Sequence, residues 1–88
     1  MAEIRKLEEA LLKDERGCVR VVPVGAFVDL KPDACNREWM RTTFLGQDGP
    51  YQISWIGQWP CGRVSIYLKL PGREPGAHAS DFRFSHYS

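Results

Sequence analysis

The sequence predicts a small α+β domain, with an N-terminal helix packed on a four- or five-stranded, strongly twisted antiparallel sheet that curls toward a small, partly open barrel. Three observations lead there. Ile4, Leu7 and Leu11 recur at the i, i+3, i+7 spacing of one helix face. β-branched valine is dense between positions 18 and 30. Between positions 51 and 70, apolar and polar residues alternate in two runs, the period of a half-buried strand.

The helix is expected over residues 3–16. Leu12 and Ala10 widen its apolar stripe, Glu9 and Lys13 form a favourable i, i+4 pair, and Gly17 suits the left-handed position after the last turn. An antiparallel sheet is expected over 18–70. It begins with two short strands near 18–22 and 26–30, separated by a kink at Pro23 and Gly25. Proline cannot donate to a ladder, so this stretch belongs at a sheet edge. Residues 31–37 are turn-rich. Residues 38–45 read as a strand through Trp39, Thr42, Thr43 and Phe44. A helix with Asp33 as its N-cap is the competing reading there.

The strongest pattern is the hairpin. Tyr51, Ile53 and Trp55 alternate with polar residues, as do Val64, Ile66, Leu68 and Leu70. Pairing 58 with 63 leaves a loop at 59–62 and sets Ile53 opposite Leu68 and Trp55 opposite Ile66, which gathers the apolar set on one face. Pairing 59 with 63 splits that set across both faces, so the first register is expected. The loop Trp59-Pro60-Cys61-Gly62 has the proline and glycine of a type I turn. Residues 71–80 carry two Pro-Gly pairs and read as a mobile loop. In the tail, 81–88, Phe82 and Phe84 alternate with Arg83 and Tyr87. That makes it a last strand, or a segment that adds to another protein's sheet edge.

Composition limits the function. The chain of 88 residues is read as a single domain, 1–88, too small to enclose a deep cleft. Its net charge of +1 lacks the strong positive field of a dedicated duplex-DNA binder. No apolar run reaches the roughly 18 residues of a membrane span, and Met1–Lys6 opens no signal peptide. Cys18, Cys35 and Cys61 are odd in number and widely spaced, so free thiols in a reducing cytoplasm are expected. His78 and His86 have no evident orienting partner, and neither a phosphate-cradling loop nor metal-ligand spacing occurs. The chain therefore reads as non-catalytic, with no cofactor or metal.

What remains is binding. A protein-binding module, an adaptor or inhibitor that occupies a surface on a larger partner, is expected to use Trp59, Arg63, Tyr67, Phe82 and Phe84, because Trp, Tyr and Arg dominate binding hot spots. Trp59 beside Pro60 is the natural anchor, unless its ring folds back over the sheet edge. The alternative is a single-stranded nucleic-acid platform on the outer sheet face, with Tyr67 stacking a base and Arg63 and Lys69 holding phosphate. Homodimerisation through an open edge strand is a further expectation.

Overall fold

The computed structural model describes residues 3–31, 34, 37–42, 46 and 49–85. Its strands are β1 (Arg5–Leu7), β2 (Glu9–Lys13), β3 (Val19–Pro23), β4 (Phe27–Leu30), β5 (Tyr51–Gln58), β6 (Val64–Leu68), β7 (Gly76–His78) and β8 (Phe82–Phe84). One helical turn, α1 (Arg37–Met40), lies between β4 and β5, and a 3-10 turn at Ala79–Asp81 leads into β8. The fold is thus mostly β rather than α+β.

The expected helix over 3–16 is absent: the segment forms β1, β2 and the turn that follows. Alternation decides this. Ala10, Leu12 and Asp14 are buried, whereas Leu11 and Lys13 are exposed. Leu11, a core position in the helical reading, is 67% exposed. Glu9 and Lys13 share a strand face but stand about 13 Å apart along it, which removes their pairing. β2 pairs antiparallel with β3, Leu11 opposite Val21. Gly17 serves the hairpin turn at a φ of 83°, not a helix end.

The two strands expected between 18 and 30 are present as β3 and β4. A tight turn joins them, with Ala26 N–H donating to Pro23 O at 3.1 Å and Gly25 at a φ of 95°. That turn carries the chain from a two-stranded sheet, β2–β3, into a six-stranded one ordered β7-β6-β5-β4-β8, with β1 also pairing β5. Among the described residues neither sheet closes into a barrel. The long strand β5 shares one edge between two partners, β4 at Tyr51 and Gln52 and β1 at Ile56 to Gln58.

One core joins the two sheets. Ala10, Leu12 and Val22 from the hairpin pack with Val28, Leu30, Ile53, Ile56, Ile66, Leu68 and Phe82. The hairpin covers the apolar sheet face, the task assigned to the helix by the sequence. Arg20 fastens it further, with its guanidinium 5.6 Å from the centroid of the Phe84 ring.

The β5–β6 register combines the two that the sequence set against each other. Ile53 does face Leu68, but near the turn Trp55 pairs with Tyr67 and Gln58 with Val64. A bulge at Ser54 reconciles them, since one extra residue reverses the alternation. Tyr51, Ile53 and Ile56 all reach the core, and Trp55 moves to the outer face. Ile56, which strict alternation with Trp55 would place on the outer face, is 0% exposed.

Two other expectations change, and one left open between alternatives is decided. Residues 37–40 are helical, not strand, and Thr42 Oγ1 donates back to Glu38 O at 2.8 Å. Asp33 and residues 43–45 lie outside the described residues. The segment 71–80 is not simply a loop. Leu70 and Arg73 bridge across Pro71-Gly72, and β7 then pairs with β6. The tail pairs with β4 as the last strand of the chain's own sheet, while Tyr87 and His86 lie outside the described residues.

Candidate functional site

Trp59 opens the tightest part of the β5–β6 hairpin. Its N–H donates to Arg63 O at 2.8 Å, and Gly62 N–H donates to Trp59 O at 2.8 Å. Gly62 holds a φ of 93°, a left-handed conformation that disfavours other residues. Pro60 fixes the next φ, so the indole stands on a stiff base. The ring then leans back over the sheet, and Nε1 donates to Ser65 Oγ at 3.1 Å. It remains 38% exposed. The ring folds back to cap the buried Ser65 and still offers a face to solvent.

Trp59 lines a cleft of about 370 Å³ together with Trp39, Met40, Tyr67, His78 and Asp81. Trp39 arrives on α1 and is 57% exposed, while its neighbour Met40 is buried and anchors that turn to the core. A second depression, about 440 Å³, is lined by Trp59, Pro60, Cys61 and Arg63. The indole of Trp59 therefore borders two concavities. Trp59 shares the cleft with Tyr67 and the second depression with Arg63, and Trp39 reaches the cleft through a helical turn that propensity did not favour.

The phenylalanines go elsewhere. Phe82 is 1% exposed, one of the largest fully buried side chains. Phe84 is half-buried beneath Arg20. Phe82 therefore serves the core rather than a contact surface.

The outer face carries a row of three side chains on β1, β5 and β6 that ends against the backbone of β7. Trp55 and Tyr67 stack with centroids 3.9 Å apart and planes within 1°. Lys6 Nζ lies 5.5 Å from the Trp55 ring centroid. On the far side, Tyr67 covers Gly76, where a Cβ would run into the ring. The far face of Tyr67 is thus covered by the β7 backbone, and a base stacking on Trp55 would have to displace the Lys6 ammonium. Lys69 is exposed on the same sheet, its N–H bonded to Gln52 O at 2.9 Å.

A third feature escaped the sequence because the segment read as helix. The outer face of the β2–β3 hairpin exposes Leu11 at 67%, Val19 at 60% and Val21 at 56%. Their alternation with the buried Leu12 and Val22 is the signal that was available.

Cys18 and Cys61 are exposed free thiols, and Cys35 lies outside the described residues. Among the described residues, no group of three or more His, Cys, Asp and Glu side chains is arranged to hold a metal ion. No described helix is long and apolar enough to cross a membrane. The chain matches no protein-family model, and no curated protein or solved structure shows significant similarity to it.

Proposed function

We propose that this protein is a non-catalytic binding module of the cytoplasm that acts by occupying a surface on a larger protein, as an adaptor or inhibitor. One observation carries the reading: two large, partly exposed indoles, Trp39 and Trp59, line the same cleft. Aromatic side chains held in place before binding lose little entropy when a partner covers them, and such anchors dominate interface energetics. Arg63 borders the neighbouring depression and supplies a charged rim. Single-stranded nucleic acid is the weaker candidate, because Trp55 and Tyr67 stack on each other, Gly76 covers the far face of Tyr67 and Lys6 stands over Trp55.

The test is an affinity capture from cytoplasmic lysate, with and without nuclease, comparing the native chain with Trp59→Ala. A protein captured in both conditions and lost with Trp59→Ala is expected, at a cost of about 2 kcal/mol, roughly thirtyfold in Kd. Far-UV circular dichroism confirms that the variant is folded. Recovery that collapses with nuclease, or binding unchanged by Trp59→Ala, overturns the reading.

A further inference from the structure

We infer that the outer face of the β2–β3 hairpin is a self-association surface whose occupant is a second copy of this chain, packed face to face across a two-fold axis at Leu11. The face is apolar at its centre. Leu11 and Val21 are cross-strand partners, and Val19 lies one step toward the turn, opposite Lys13. All three aliphatic side chains are more than half exposed. Isolated exposed apolar residues are ordinary, but a contiguous set on one sheet face marks an interaction site. Beside it runs a groove of about 450 Å³ lined by Leu7, Glu9, Ala10, Leu11, Val64 and Ala79, mostly apolar with Glu9 at its border.

Charge placement selects the occupant. Strand alternation puts Glu9, Leu11 and Lys13 on this one face, two residues to either side of the centre. A two-fold axis in the plane of the face, perpendicular to β2 and passing through Leu11, lays β2 antiparallel over its copy. Leu11 then meets Leu11 and Val21 meets Val21. Glu9 meets the copy's Lys13, and Lys13 meets the copy's Glu9. Val19 falls over Pro23, the cross-strand partner of Glu9. Every charge on the face finds its opposite in a single operation, the self-complementarity that an isologous interface requires. This differs from the edge-to-edge dimer expected from the sequence, since no ladder hydrogen bond is involved.

The patch is a single hairpin face, smaller than a standard interface, so a weak dimer is expected, with Kd on the order of 10–100 μM. Sedimentation velocity of the full chain between about 5 μM and 1 mM reads it. The expected result is a concentration-dependent dimer. Leu11→Lys removes it, and Lys13→Glu raises Kd at least about tenfold by facing Glu9 with a carboxylate. The double variant E9K/K13E restores it to within about threefold of the native value. Leu11 and Lys13 are exposed in the monomer, so these variants retain the fold, and the charge swap carries the test alone if Leu11→Lys does not. A monomer throughout, a dimer insensitive to Lys13→Glu, or a double variant as weak as the single one overturns the inference. The surface is separate from the Trp39–Trp59 cleft: Trp59→Ala leaves self-association unchanged, and Leu11→Lys leaves partner capture unchanged.

Discussion

The two long hairpins close in the same way and are used differently. In each, the first loop residue donates its N–H to the carbonyl four residues on, at 2.9 Å from Asp14 to Cys18 and 2.8 Å from Trp59 to Arg63. In each, a glycine with positive φ donates back to that first residue, Gly17 to Asp14 and Gly62 to Trp59. This is a type I turn followed by a left-handed glycine. The backbone sets no demand on the first side chain. In β2–β3 that side chain is a carboxylate turned inward on its own turn, and in β5–β6 it is an indole turned toward a cleft. The surroundings also differ. β5–β6 lies inside the six-stranded sheet with neighbours on both sides, whereas β2–β3 is a separate sheet with one face in the core and the other in solvent.

The largest effect tests whether the separate hairpin folds with the rest. Ile66 in β6 and Val22 in β3 are both 0% exposed and belong to one core cluster. Ile66→Ala should cost about 2–5 kcal/mol in urea unfolding. That is a large share of the stability of a domain this size, about 4–13 kcal/mol. Val22→Ala removes fewer carbons and should cost about 1–3 kcal/mol. Both should shift a single transition. A second, earlier transition in Val22→Ala would mean that the β2–β3 hairpin is an appendage, and the comparison would then be between a core element and an independent one.

A smaller effect tests the shared turn. Gly17 and Gly62 have φ of 83° and 93°, with no atom near the place a Cβ would occupy. The penalty for alanine is then backbone strain alone, about 1–2 kcal/mol at each position. Thermal unfolding of Gly17→Ala and Gly62→Ala should give costs within about 0.5 kcal/mol of each other. A clear inequality would show that side-chain caps, not the backbone, hold one of the turns.

The same comparison explains what was legible in the sequence. The strands of β5–β6 could be read because Tyr51, Ile53, Ile66 and Leu68 alternate without a rival period. The strands of β2–β3 could not, because Leu7 and Leu11 fit a helical stripe while Ala10, Leu12 and Asp14 fit a strand, and only pairing with Val19–Pro23 breaks the tie. Asp14 and Gly17 were a turn signal, aspartate first and glycine fourth, that a helix ending also accommodates. The bulge at Ser54 has no sequence mark, so Trp55 and Ile56 exchanged their expected faces. Trp59 was legible as a residue of the hairpin tip, since proline and glycine mark the turn that it opens. Its companion Trp39 depended on a helical turn that β-favouring neighbours concealed, and the apolar face at Leu11 was invisible while its segment read as helix.

The smallest effect separates the hairpins by pH. Asp14 is almost enclosed, its side chain 1% exposed. Burial acts to raise its pKa, but the N–H of Cys18, the Arg20 guanidinium and the N–H of Arg16 outweigh it and hold the carboxyl below its ordinary value. Oδ1 accepts from both N–H groups at 2.9 Å, and Oδ2 accepts from Arg20 Nε at 3.2 Å. A carboxyl whose pKa falls on folding adds stability that is fully present above the unfolded value, about 3.9, and is lost as pH drops through the folded one. Asp14→Asn keeps the shape of the turn and removes that ionisation. It should melt below the native chain at pH 7, and the gap should shrink as pH falls from about 4, where the unfolded carboxyl takes up its proton, through the lower native value. Melting curves for the two proteins that stay parallel through this range would show that the charge on Asp14 does not hold the turn, leaving both hairpins to rest on backbone geometry alone.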